Sequence, residues 1–169
     1  PSRGRPVRFG RLSLDDLAID GIAGDLYTGD KGSFASPDLA GNLGGGVLKR
    51  FTVAFDYGTK TMYLAPNAAF GEPDVYDRSG LWLLGAGDVL KVADVAVDSA
   101  AARAHLRVDD RLLSIGGEKA QSRSLPQWRQ RLRELPAGTR LTVEYERAGK
   151  PGRAELTFAD RIVPRWMEE

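Results

Sequence analysis

From residue 77 onward no stretch of this chain keeps one hydrophobic period for long. Short runs with apolar residues at every second position are cut repeatedly by glycine, and two capped helical signals stand among them. Strands this short each bury little area, so they must curl around one shared core while the helices close its open sides. The expected class is mainly β with some α: a small β-barrel or sandwich carrying two helices.

The elements follow in a regular order. Residues 81–84 read as a strand, Gly85-Ala86-Gly87-Asp88 as a turn, and 89–97 as a second strand. Ser99 is placed to cap a short alanine-rich helix over 100–104, its hydroxyl accepting from free first-turn amides. Leu112, Leu113 and Ile115 lead into a hairpin turn at Gly116-Gly117. Ser124 caps a longer helix with Pro126 in its first turn, where a missing amide costs nothing. On that helix Leu125, Trp128, Leu132 and Leu135 share one stripe, with Trp128 directed to the core, while Arg129, Arg131 and Arg133 make a solvated face. Pro136-Ala137-Gly138 ends it. Leu141, Val143 and Tyr145 alternate along the next strand, and Lys150-Pro151-Gly152 reads as the turn into a last strand bearing Ala154, Leu156 and Phe158.

The upstream part has a different texture, rich in glycine and short alternations. Val7, Phe9 and Leu12 suggest an edge strand, Leu17, Ile19 and Ile22 another, and 29–38 a loop. The clearest strand is 50–56, where Phe51, Val53 and Phe55 would be buried and Thr52, Ala54 and Asp56 exposed. Gly58-Thr59 turns it into a second strand over 61–64, a hairpin that ends at Pro66. Gly71-Glu72-Pro73-Asp74-Val75-Tyr76 reads as a linker. The expected organisation is a first domain over 1–70, a linker over 71–76, a second domain over 77–163 and a tail over 164–169.

Ser99-Ala100-Ala101, followed by Leu106-Arg107-Val108-Asp109-Asp110-Arg111-Leu112-Leu113-Ser114-Ile115-Gly116-Gly117, resembles the signature of PDZ domains, most nearly those appended to bacterial proteases. The resemblance implies a small, partly open β-barrel with a peptide groove between one strand and the longer helix, in which a ligand adds as an extra strand and backbone amides hold its terminal carboxylate. The loop that corresponds is Gly80-Leu81-Trp82-Leu83, with Arg78 just before it as a further partner for the carboxylate. Leu125, Arg129 and Leu132 are the helix positions expected to face the groove, an apolar Leu125 favouring an apolar ligand residue two before the end. The chain departs from the signature at Ala100, at Trp82, and at His105 and Asp109, where the family has glycine; His and Asp tolerate positive φ better than most residues.

In the first part, the stretch from Ala40-Gly41-Asn42-Leu43-Gly44-Gly45-Gly46-Val47-Leu48 through Phe51 and on to Met62-Tyr63-Leu64-Ala65-Pro66 resembles the C-terminal half of a retropepsin-like aspartic protease domain. That implies a β-rich half-domain in which Leu43-Gly44, Val47-Leu48 and a short helix support the active-site loop from behind. An aspartic protease needs a D-T-G or D-S-G loop to bring two carboxylates together, and neither string occurs here. Phe55-Asp56-Tyr57-Gly58 comes nearest, but a phenol cannot replace the small bracing hydroxyl, so Asp56 reads as a structural residue at a strand end. No catalytic residue is expected in the chain itself.

Several other functions find no footing. The 24 Lys and Arg nearly balance the 23 Asp and Glu, leaving no broad field for nucleic acid or anionic membranes. Arg3, Arg5, Arg8 and Arg11 form a basic stretch without a reader motif, more simply a cut strand or exposed tail. Glycine-rich 41–46 lacks the ending of a phosphate loop. No cysteine is present, His105 is the one histidine, and no apolar run reaches membrane-spanning length, so no metal, cofactor or membrane partner is expected. The chain begins Pro1-Ser2-Arg3 with no leader, which suggests a fragment of a longer protein, and the bacterial protease resemblance implies that the parent is secreted or periplasmic.

The expected function is that of a module binding peptide or protein C-termini for a parent bacterial aspartic protease, with dimerisation possible through the protease-like part. Two alternatives stand beside it: an adaptor without protease activity, and a scaffold whose groove is empty or filled by the chain's own residues 161–169 or by its linker.

Overall fold

The computed structural model describes residues 4–30 and 32–162. They form two compact units, divided between Asp74 and Val75, the second being Val75–Arg161.

The first unit begins with two long antiparallel strands, β1 (Gly4–Leu14) and β2 (Leu17–Tyr27), in register from Gly4 opposite Tyr27 to Leu14 opposite Leu17. The intervening turn puts Asp15 at φ 54, a conformation that aspartate adopts more readily than most residues. Arginines expected in a cut strand or tail lie within β1: Arg11 pairs with Asp20 across the ladder at 2.7 Å, and Arg8 donates to the Gly21 and Asp74 carbonyls. Arg3 lies outside the described residues. A short helix, α1 (Gly45–Leu48), precedes the hairpin of β3 (Phe51–Asp56) and β4 (Thr61–Pro66). Ile19, Ile22, Val47 and Phe51 make this unit's core, joined by Val53, Leu64 and Phe70. Phe55 departs from its expected burial. It is 59% exposed and stacks on Tyr57 at the hairpin tip, where nothing of the small core reaches it. Arg50 is buried and donates to the carbonyls of Phe70 and Glu72, satisfying acceptors in the segment after β4. Asp56 accepts from the amides of Gly58 and Thr59. The Thr59 amide, then the Thr59 hydroxyl and the Gly58 amide, hold its carboxyl below the usual value. It stands at the end of β3, where it closes the hairpin turn.

The second unit is one mixed-length antiparallel sheet closed by two helices. Its strands are β5 (Leu81–Ala86), β6 (Val89–Val95), β7 (Arg111–Ile115), β8 (Glu118–Lys119), β9 (Arg140–Arg147) and β10 (Lys150–Thr157), in the order β10-β9-β7-β6-β5, with β8 paired to β7. The helices are α2 (Ala100–Arg103) and α3 (Leu125–Glu134). Ser99 caps α2 through the Ala102 amide, and Ser124 forms a reciprocal capping box with Gln127, both as their sequence positions require. Gly116 and Gly117 turn β7 into β8 at φ 61 and 81. The strand from 89 stops at Val95, not at residue 97. The last hairpin differs more: β10 starts at Lys150, so Pro151 and Gly152 lie inside the strand and the turn is Ala148-Gly149, both at positive φ. Pro151 is tolerated because β10 ends the sheet.

Leu83, Val92, Leu112, Val143, Leu156 and Phe158 fill the core with Trp128 and Leu132 from α3. Trp128 is fully buried and its indole N–H donates to the Ala120 carbonyl at 2.7 Å, which removes the cost of burying a polar atom. His105 and Asp109 both take the positive φ that glycine would otherwise supply, 59 and 72. Between them the backbone closes a tight loop whose centre is Asp110, itself fully buried. Asp110 accepts from the Arg107 amide and from Arg147 at 2.6 and 2.7 Å, while Arg147 also donates to the His105 carbonyl. No helix among the described residues is long and apolar enough to cross a membrane.

Candidate functional site

β5 ends the sheet, and α3 lies against it. The strand therefore has one side hydrogen-bonded to β6 and another facing the helix, which is the arrangement that admits an added strand. A register irregularity between Trp82 and Leu83 twists its beginning.

The turn that delivers the chain into β5 is built by Asp77, Ser79 and Gly80. The Asp77 carboxylate accepts from the amide and hydroxyl of Ser79 and from the Gly80 amide at 2.7 Å; the Ser79 hydroxyl accepts from the Leu81 amide at 3.1 Å. Carbonyls of the same turn are taken as well: that of Ser79 by the Ala101 amide of α2, and that of Gly80 by Ala96. Gly80 has φ 71 and lies so near Ser99 that no side chain fits there. The amides of residues 79–81 thus have acceptors within the turn. The sequence reading named the loop at 80–83 but missed Asp77 and Ser79. Their signal was present, since Asp-x-Ser-Gly is the spacing at which a carboxylate and a hydroxyl fold back onto amides two and three residues on.

The other predicted site residues fall into three groups. Arg78 turns to Asp160 and to the Leu135 carbonyl at the end of α3, so its guanidinium is engaged away from the turn amides. Leu83 and Leu132 are buried core members, Leu81 nearly so, and Leu125 packs on the core from the start of α3. Trp82 is 57% exposed, and Arg129 reaches across from α3 to it: the guanidinium carbon sits 4.4 Å from the indole centroid, and Nη2 donates to the Leu83 carbonyl at 2.6 Å. Arg129 is therefore part of a bridge between helix and edge strand, not of the solvated face assigned to it. Arg131 and Arg123 meet at Glu118, at 3.0 and 2.8 Å.

Residues 91–147 match the family described as the PDZ domain. That stretch of the chain is a PDZ domain, and the mainly β architecture with two helices agrees with it. The match opens inside β6, so the turn at 77–80 and the edge strand β5 lie ahead of it. No curated protein matches the chain. Among solved structures, the HtrA-type protease AlgWS227A with a decapeptide is similar over 68% of this chain and 42% of its own, at 15% identity and a TM-score of 0.50, a likeness of fold. The serine endoprotease from Yersinia pestis aligns over 64% of this chain and 42% of its own, at 20% identity and a TM-score of 0.46. The PDZ domain of EpsC from Vibrio cholerae aligns over 46% of this chain and 75% of its own, at 16% identity and a TM-score of 0.34. The chain thus spans well under half of the two proteases. The retropepsin resemblance of the first part finds no counterpart in these matches.

Among the described residues no group of His, Cys, Asp and Glu is arranged to hold a metal.

Proposed function

We propose that the PDZ unit binds the C-terminal segment of a peptide or protein as a strand added to β5, in the groove between β5 and α3. The observation that carries this is the edge itself: β5 ends its sheet beside the capped helix α3 and is entered through a glycine turn at φ 71. Because the amides of residues 79–81 have acceptors within the turn, the ligand's carboxylate would be received from Trp82 onward and by side-chain donors. A C-terminal peptide library, each hit paired with its amidated twin, tests the reading. Hits are expected to weaken on amidation and to shift the backbone amide resonances of Leu81–Ala86. Binding that leaves those resonances unmoved would overturn it.

One observation favours a second reading, a scaffold with a closed groove: the Arg129 guanidinium already occupies the Leu83 carbonyl. On that reading no library member binds.

For the parent protein we propose a secreted or periplasmic aspartic protease of the retropepsin type, with the PDZ unit recruiting substrate ends. The support is the stretch around Leu43-Gly44 and Val47-Leu48, the short helix α1 at the position that the resemblance implies, and the β3–β4 hairpin after it. A D-T-G or D-S-G in coding sequence upstream of Pro1 is expected; an upstream serine-protease domain, or an adaptor with neither, would overturn it.

A further inference from the structure

Strand addition to β5 requires the ligand's amides to reach the carbonyls on its free side, and the Leu83 carbonyl is held by Arg129 at 2.6 Å. Lifting Arg129 breaks a charge-assisted hydrogen bond and a stack on Trp82. Arg123 and Arg131 share Glu118 and Arg78 has Asp160, yet among the described residues no carboxylate pairs with Arg129. Its Nε is buried and, like those of Arg50 and Arg131, makes no hydrogen bond among the described residues. A guanidinium has five donors in a planar fork, so an unused buried Nε beside a single occupied Nη is a half-filled carboxylate site.

Resting on the peptide-binding reading above, we infer that Arg129 is a latch on the β5 edge, opened by a ligand that brings a carboxylate to it. The carboxylate takes Nε and an Nη together, the arginine swings off the Leu83 carbonyl, and that carbonyl becomes free to accept from the ligand's backbone. Neutral peptides meet the same latch with nothing to offer it. The groove therefore selects acidic peptide segments, and Arg129 sets that specificity. The carboxylate comes either from an Asp or Glu side chain or from the chain terminus, and the two sources are separable.

The test uses the full chain and decapeptide pools that carry an uncharged fluorophore and are randomised over residues other than Asp and Glu, with Glu or with Gln fixed among the last four residues, each as free acid and as amide. With the unmodified protein, pools carrying a carboxylate are expected to bind about tenfold tighter than the Gln amide pool, the gain of one charge-assisted pair. Tight binding by the Glu amide pool assigns the side chain, and by the Gln free-acid pool the terminus. Arg129→Met should erase the preference and raise the affinity of the neutral pool, while Arg129→Lys, which keeps the charge without the fork, should fall between. In the unmodified chain the Arg129 Nε–H resonance should move only when a carboxylate pool is added, a readout that does not depend on a variant folding. A preference surviving undiminished in Arg129→Met overturns the latch and leaves peptide binding intact; equal binding of all pools overturns the latch and, with it, the dependence on a free terminus expected above, while strand addition to β5 stands. Binding of no pool to either protein, with both folded by their thermal melts, overturns the peptide-binding reading and the latch with it.

Discussion

A Cβ at residue 80 would stand 2.1 Å from the Cβ of Ser99, on a backbone at φ 71. Two independent penalties, left-handed strain and overlap with a buried cap residue, fall on one position. Gly80→Ala is expected to lower stability by about 2 kcal/mol or more, read by urea unfolding of the full chain. Asp110 behaves differently because its burden is charge. Burial pushes its carboxyl upward, but the Arg147 hydrogen bonds, the Arg107 amide and the charges of both arginines outweigh this and hold it below the ordinary value. A carboxyl with a depressed folded pKa stabilises fully above its unfolded value, roughly pH 3.9, and that contribution is lost as pH falls through the folded value. Asp110→Asn should cost about 3 kcal/mol at pH 7, since Arg147 is left without its charge partner. The gap between variant and parent should narrow as pH drops below the carboxylate range; a gap of constant size from pH 7 to pH 2 would mean that the pair contributes packing, not charge. Legibility at this scale was uneven. His105 and Asp109 could be picked out as non-glycine residues forced to positive φ, because a signature places glycine there. That Asp110 would be the buried centre of the same loop could not, since its burial depends on Arg147, 37 residues away, and only the fold brings the two together.

Among the elements, helices were more readable than hairpins. Both helix starts carry side-chain caps, which are local chemistry: Ser99 and Ser124 reach amides three residues on. The β9–β10 turn shows the opposite. Proline and glycine at 151 and 152 resemble turn residues, but register is set by the inward alternation of Val143, Ala154 and Leu156, and that pairing places the turn at Ala148-Gly149. Ala148 then carries the strain, at φ 49. Replacing it with glycine is expected to stabilise the second unit by about 0.5 to 1 kcal/mol, measured as a rise in its melting temperature. No change, or a loss, would place the turn elsewhere. The β1–β2 pair was seen only as two hints because its long strands alternate weakly, with charged and glycine residues at many outward positions.

At the level of the molecule, the two units each gather their own core: Ile19, Ile22, Val47 and Phe51 in one, and the larger set around Trp128 in the other. Because the second core is drawn wholly from Val75–Arg161, that segment expressed alone is expected to unfold in one cooperative transition by calorimetry. A broad, non-cooperative melt would show that its core is incomplete without the remainder. What the sequence determined by itself was the class of the second unit and its helix starts, because alternation, caps and glycine turns act over a few residues. Only the tertiary structure decided the state of the groove. Arg129 and Leu83 are 46 residues apart, as are the ends of no local motif, and their meeting across helix and edge strand depends on how α3 packs on the sheet. A long, charged side chain on an amphipathic helix carries no local signal of whether it ends in solvent or on a carbonyl.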